Sequence, residues 1–389
     1  MPKPLKTGVS SKLTEKSLKR MKPVKPLWKG PMNDGPNGGC TQSLLSAFLC
    51  CRERFRIKYV IGLQPEWGFS KVLEFGNCWH LCEEHFAAGD DWLKPLTTYC
   101  KELCSRYKLQ QEDIEKWFNV IKRMFPVYCD HWKKHPDVKK RTPLMQEEVF
   151  HVPYTLPSGR VVWLKGKFDS VDLIDAHSSD GFKYPKGIWL QEDKTKGDID
   201  EQDILQRLSF DIQTMLYLIA LQLMGEENGD WGIEGCKIVG VRYNVIRRPF
   251  SGGRGSIKLK EGKETKEEFY ERFMTDYVNA EPEYWFSRWK STVSQADIEQ
   301  FKQEFLNPIL EELCDWYDWV VAAQTNGISP FDEGARVGWS KGMTAHHYRL
   351  PFGTYNSIME TGGSDLDNYL RTGNTVGLVQ VDSLFGELK

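Results

Sequence analysis

The sequence predicts an α/β fold, because helical and strand patterns occupy separate, alternating blocks of its 389 residues. Apolar residues recur at helical spacing over roughly residues 42 to 132, which predicts a helical amino-terminal region. β-branched and apolar residues then dominate from 147 to 194, as in strands. The later predicted elements are a helix at about 202–223, a strand at 237–246, and helices at 264–278 and 294–323. This order is typical of a sheet packed against helices.

Four regions follow from these patterns. They are a basic arm and linker (1–39), a helical region (40–145), an α/β core with flanking helices (146–330) and an irregular carboxyl-terminal extension (331–389). The first 30 residues carry nine Lys or Arg and one Glu, a net charge of +8, and their prolines disfavour regular structure. We expect this arm to be disordered, either contacting nucleic-acid phosphates or serving only to solubilise the chain.

Composition favours a water-soluble enzyme of moderate size. The chain has 52 basic and 54 acidic residues, and 40% of it is hydrophobic, which is enough for a substantial core. It has no apolar run of membrane-spanning length and no apolar core of a secretory signal at its amino terminus. Its ten cysteines are irregularly spaced, which favours reduced thiols. We therefore expect a cytoplasmic protein without membrane association.

Carboxylates and a lysine follow neighbouring predicted strands. Strands at 161–164 and 168–174 are separated by a turn-like Lys165-Gly166, and a third strand ends in Glu192-Asp193-Lys194. Residues two apart on a strand share a face, so Glu192 and Lys194 point one way and Asp193 the other. With Asp169, they offer hard oxygen ligands for Mg²⁺ or Mn²⁺ and a cation for a phosphate. The Glu-x-Lys triplet recurs three times elsewhere, so a surface salt bridge is the alternative.

Together these residues resemble a known family signature. Asp169, Glu192 and Lys194, with Thr195 next, are similar to the D…(D/E)xK motif of the PD-(D/E)xK nuclease superfamily. The resemblance implies a restriction-endonuclease-like core with a mixed central sheet flanked by helices.

Further motifs extend the resemblance to RecB-like members, over about residues 41 to 225. Gln213 and Tyr217 resemble their Gln-x-x-x-Tyr helix, and Gly76 to His80 resembles their Gly-x-x-x-His helix. The opening helix departs from the family by having Cys51-Arg52 where a cysteine-proline pair is common.

The resemblance implies a role for each residue. The metal would be bound by His80, Asp169, Glu192 and the main-chain carbonyl of Asp193. Lys194 would position water, assisted by Gln213 and Tyr217. Glu84, one turn beyond His80, is a further carboxylate that could approach the metal. The alternatives are a core histidine at 80 and ordinary polar helix positions at 213 and 217. Asp172 falls on the opposite strand face, where we expect a structural role.

The implied function is a Mg²⁺- or Mn²⁺-dependent phosphodiesterase that cleaves DNA. Residues 243 to 289 look like superfamily proteins of tailed phages, and the chain lacks a P-loop, which favours an exonuclease of phage recombination or DNA processing in the bacterial host cytoplasm. A single-strand annealing or other recombination protein is a possible partner. The carboxyl-terminal cysteine group of iron-sulfur members is missing, so we expect no such cluster. Alternatives are a nuclease of CRISPR adaptation, a structure-selective endonuclease, and a DNA-binding or assembly protein that does not cleave.

Overall fold

The computed structural model describes residues 26–65, 69–197, 199, 204, 211–228, 237–250, 257–325 and 378–388. Most of the predicted basic arm and of the carboxyl-terminal extension lies outside these residues. The chain forms two compact units. The first comprises Met1–Lys29, Ala47–Glu66 and Leu313–Leu384, and the second comprises Gly30–Ser46, Trp67–Glu312 and Phe385–Lys389.

The described helices and strands are as follows. The α-helices are α1 (Gln42–Cys50), α2 (Arg52–Phe55), α3 (Lys71–Ala87), α4 (Leu93–Arg106), α5 (Gln111–Lys133), α6 (Ile212–Asn228), α7 (Lys266–Phe273), α8 (Pro282–Trp285), α9 (Gln295–Phe301) and α10 (Asn307–Thr325). The strands are β1 (Leu63–Pro65), β2 (Arg141–Thr155), β3 (Val161–Ile174), β4 (His177–Ser179), β5 (Phe182–Tyr184), β6 (Gly187–Lys196), β7 (Ile238–Arg247), β8 (Phe286–Thr292) and β9 (Leu378–Gln380). No helix in the described part of the chain is both long and apolar enough to cross a membrane.

The described part of the first unit has an aromatic core and a short strand pair. The ring of Phe55 contacts Trp28 and Trp316 edge-on, with centroid distances of 5.3 and 5.4 Å. Such edge-to-face pairs are a favourable aromatic geometry. Strands β1 and β9 pair antiparallel, so residues far apart in sequence close this unit.

The second unit contains a five-stranded sheet in the order β2-β3-β6-β7-β8. Strands β6 and β7 run parallel, whereas the other neighbouring pairs are antiparallel. The prediction of a mixed central sheet flanked by helices is therefore confirmed.

Helices cover both faces of this sheet. Helix α6 packs against β2, β3 and β7, and its residues from Leu218 to Leu221 are fully buried. A helix this apolar around its circumference must be surrounded by protein. Helix α3 packs against β6 and α5, where Phe75, Trp79 and Phe125 belong to one buried cluster.

The predicted turn at Lys165-Gly166 is wrong, because both residues lie inside the continuous strand β3. They pair with His151 and Phe150 of β2. The glycine serves close packing instead of chain reversal: a Cβ there would lie 2.4 Å from the Phe150 ring and 2.9 Å from the Tyr217 ring. A strand glycine at such a point lets two layers approach closely.

An ion triad links three strands of the sheet, and two of its members, Asp172 and Arg242, are fully buried. Asp172 of β3 is fully buried, its Oδ1 lies 2.7 Å from Nε of Arg141 on β2, and its Oδ2 pairs with Arg242 of β7. Removing one partner of such a buried pair typically costs about 3–5 kcal/mol. The structure thus gives Asp172 a structural environment, as expected from its strand face.

Candidate metal centre

The candidate site lies where two strands of the sheet separate. Pairing between β3 and β6 ends at Ser170 and Gln191. Beyond that point β3 continues beside β2, and β6 continues beside β7. Asp169 and Glu192 are the first residues past the fork, so neither is covered by the neighbouring strand.

The ladder between β2 and β3 is interrupted at the same place. Gln146 pairs with Ser170 and Glu148 pairs with Phe168 in the same register, but Glu147 and Asp169 between them are not paired. Glu147 has a φ of 52°, which is uncommon for a residue other than glycine. Backbone strain of this kind concentrates at functional sites.

The interruption brings a histidine and two carboxylates together. Ligand atoms of His80, Glu147 and Asp169 all lie within 4.8 Å of one another. Nδ1 of His80, presented by α3, is 3.4 Å from Oε1 of Glu147 and 3.8 Å from Oδ1 of Asp169. Burial alone would lower the pKa of His80, but Asp169 and Glu147 raise it to about 10. An imidazole that ligates a cation must give up this proton, so cation binding would release it.

Beside this cluster, Lys194 is held by two fixed acceptors. Its Nζ donates to Oε2 of Glu192 at 2.9 Å and to Oε1 of Gln213 at 3.1 Å. The Gln213 amide donates in turn to Oε2 of Glu192 at 2.5 Å. Burial would lower the pKa of Lys194, but Glu192 and Asp169 raise it above its usual value. The ammonium is therefore protonated, and its two hydrogen bonds fix its position.

Glu192 is a buried carboxyl group with one oxygen hydrogen-bonded to Lys194 and the other free of hydrogen bonds among the described residues. It is fully buried, and burial, with the nearby charge of Asp169, raises its pKa to about 8 against the opposing effect of Lys194. Its Oε1 has no hydrogen-bond partner among the described residues. A divalent cation would satisfy this oxygen and favour the charged form. Carboxylates with an imidazole are ligands that suit Mg²⁺ or Mn²⁺.

Two further predicted residues have different surroundings. The backbone N–H of Asp193 donates to Oδ2 of Asp169 at 2.7 Å, and its side chain accepts from Asn244 at 2.6 Å. The Asp193 carboxylate thus lies on the strand face opposite Glu192, as predicted. The Tyr217 ring packs edge-on against Phe150 at 5.1 Å, and burial raises the pKa of its phenol.

The sequence analysis missed Glu147 and gave Lys167 no role. Nζ of Lys167 lies 2.7 Å from Oε2 of Glu147 and 3.7 Å from Glu84. Glu84 therefore faces Lys167. The second carboxylate near His80 and Asp169 is Glu147 and not Glu84. No local pattern marks Glu147, because a break in strand pairing positions it.

Replacing Glu147 by glutamine should weaken divalent-cation binding by at least the roughly 10- to 100-fold that losing a second-shell partner costs. The change keeps the shape of the side chain but removes one of the clustered carboxylates. Titration calorimetry with Mg²⁺ or Mn²⁺ measures the effect. Glu148→Gln is the matched control, because Glu148 is the exposed neighbour. Equal affinities of both variants would place the cation elsewhere.

Comparison with known proteins identifies a family. Residues 40–317 match the family model of the PD-(D/E)XK nuclease superfamily. Curated proteins gave no match to the chain.

Proposed function

Because the chain belongs to the PD-(D/E)XK nuclease superfamily, we propose that it is a Mg²⁺- or Mn²⁺-dependent deoxyribonuclease that digests DNA from an end. The observation that carries this proposal is the cluster of His80, Glu147 and Asp169 beside the hydrogen-bonded Glu192, Lys194 and Gln213. One group offers ligands for a cation and the other offers a fixed positive charge, which are the two requirements of phosphodiester hydrolysis.

The residues present fit a divalent cation. His80, Glu147, Asp169 and the unpartnered Oε1 of Glu192 would hold it, and the Asp193 carbonyl is our further candidate. When bound, the cation supplies Lewis-acid polarisation of the phosphate and acidifies a water. The backbone N–H of Asp193 keeps the Asp169 carboxylate oriented during this chemistry.

Lys194 acts through its charge and position. Held by Glu192 and Gln213, the ammonium cannot swing freely, and its raised pKa keeps it protonated. We infer that it orients the attacking water and stabilises the negative charge that develops on the phosphate, and that it is not the base. Gln213 fixes the position of Lys194, and Tyr217 packs beneath Gly166 to support the strand that carries Asp169.

The biological setting is inferred from the motif order. The resemblance to RecB-like and phage proteins supports an exonuclease of recombination or DNA processing in a bacterial host cytoplasm, working with a single-strand annealing or similar protein. A structure-selective endonuclease is the second candidate, since the same centre would cut within a strand if it accepts DNA without a free end.

Incubation with end-labelled linear, nicked and covalently closed circular DNA in Mg²⁺ tests the proposal. We expect progressive loss of linear DNA from its ends and no cutting of closed circles. Asp169→Asn, which keeps the side-chain shape, should leave all three substrates intact and controls for contaminating nucleases. Cutting of the closed circles would favour the endonuclease. If none of the DNA substrates is cleaved but a labelled RNA strand is, the substrate class is RNA.

A further inference from the structure

A cavity of about 400 Å³ lies on the sheet face opposite the Glu192 and Lys194 side chains, where Gln191 and Asp193 form part of its lining. Its volume is in the range of small-molecule sites, about 300–1,000 Å³. Phe86 and Val138 contribute apolar surface, and Glu83 contributes a carboxyl group. Phe86 is 50% exposed and Val138 is 41% exposed, so these two form an accessible entrance.

The lining contains buried polar atoms that lack partners. Among the described residues, Oε2 of Glu83 and Oε1 of Gln191 are buried acceptors without a hydrogen bond, and Nε1 of Trp132 and Nε of Arg288 are buried donors without one. Glu83 is 7% and Gln191 is 4% exposed. Unsatisfied buried groups cost about 1–3 kcal/mol each. A ligand with hydrogen-bond donors and acceptors would remove this cost, so the lining favours binding of such a ligand.

The two arginines that line the cavity already have partners. Arg141 pairs with Asp172 at 2.7 Å, and Arg288 lies 3.5 Å from Asp137 and 3.8 Å above the Trp132 ring centroid. Because these arginines already interact with carboxylates, they attract a phosphate only weakly. Water could satisfy the polar atoms, but contact between water and the apolar walls is unfavourable. A neutral, planar guest with polar edges fits both parts of the lining.

Residues that line the cavity adjoin the metal centre. The side-chain amide of Gln146, part of the lining, donates to the main-chain oxygen of Asp169 at 2.9 Å. Glu83 lies three residues after His80 on α3, and Asp193 follows Glu192. Lys133, exposed on the lining, carries a charge suited to the backbone of a strand.

We propose that this cavity accepts one nucleobase of the DNA strand whose phosphate occupies the metal centre, an inference that rests on the proposed function. The base is neutral, its flat faces cover the apolar walls, and its edge offers donors and acceptors to Gln191 and Glu83. Base-specific contact of this kind lets the protein distinguish an intact nucleotide from an abasic one.

Binding of single-stranded oligonucleotides in chelator tests this proposal without requiring cleavage. In a series with one abasic position moved along the strand, one position should weaken binding to the wild-type protein by about tenfold, as expected from base stacking. 2-Aminopurine at that position should change its fluorescence on binding. Phe86→Ala and the filling variant Val138→Trp should reduce the abasic effect to less than about twofold. Both change exposed positions, so folding should be preserved.

Leu109→Ala is the matched control, because Leu109 is 95% exposed and lies outside the cavity lining. It should retain the full abasic effect. Equal binding of intact and abasic strands at every position would overturn the proposal. The proposal would also be overturned if the protein binds free 2-aminopurine deoxyriboside while its affinity for strands does not depend on the abasic position. That result would assign the cavity to a free nucleoside. Absence of cleavage in Mg²⁺, by contrast, would refute only the proposed nuclease activity.

Discussion

Replacing Lys194 by alanine should lower the turnover of DNA cleavage by about a hundred- to a thousand-fold, the usual effect of removing one group that stabilises transition-state charge. The lysine is held by Glu192 and Gln213 at 2.9 and 3.1 Å. Its ammonium therefore needs no reorganisation when charge develops on the phosphate. Single-turnover cleavage of end-labelled linear DNA at saturating protein measures the chemical step separately from binding.

The fold should survive this substitution. Glu192 would lose a buried partner, but burial already raises its pKa and the loss of the Lys194 charge would raise it further, so the group can take up a proton, and Gln213 still donates to it. Thermal denaturation checks this point. Lys186→Ala is the matched control, because Lys186 is 60% exposed and its nearest described acid is Asp175 at 4.0 Å. Wild-type turnover in the Lys194 variant would exclude the catalytic role.

Removing divalent cations with a chelator should abolish cleavage, and added Mg²⁺ or Mn²⁺ should restore it. His80, Glu147 and Asp169 meet within 4.8 Å, and Glu192 has a buried oxygen without a described partner. Each proposed step depends on the charge of the cation at these groups. Cleavage assays across a cation series measure this effect, and robust cleavage in chelator would contradict the site.

The same cations should raise the melting temperature of the protein. A ligand that binds the folded state alone stabilises it by mass action, by about 2.7 kcal/mol at a concentration 100 times its Kd. Asp169→Asn serves as the control, because it removes one clustered carboxylate and should show a much smaller rise. Equal shifts for both proteins would indicate cation binding elsewhere on the chain.

The sequence alone predicts the proximity of those site residues whose positions depend on local geometry. Strand alternation places Glu192 and Lys194 on one face, and the structure brings them within 2.9 Å of each other. Gln213 reaches Lys194 from a helix that the pattern also predicted. Their roles remain predictions, but their proximity follows from spacing that can be read along one segment.

Other features depend on contacts between distant segments. Glu147 joins His80 and Asp169 at a point where the β2–β3 ladder lacks one pair, and no periodicity in the sequence reveals this gap. The Lys165-Gly166 pair has the composition of a turn, yet the glycine is needed because Phe150 and Tyr217 leave no room for a Cβ. In both cases tertiary packing overrides the local signal.

The ion triad of Asp172, Arg141 and Arg242 also disfavours errors in the assembly of the sheet. A strand displaced by one residue would turn its side chains to the other face. Arg242 would then leave Asp172, at a cost of about 3–5 kcal/mol for the broken buried pair. Since β7 also pairs with the strand that carries Glu192, the triad disfavours misaligned sheets in which Glu192 and Asp169 no longer meet at the fork. The proposed catalytic geometry is thus protected by an energetic penalty against assembly errors, imposed by residues outside the candidate metal cluster.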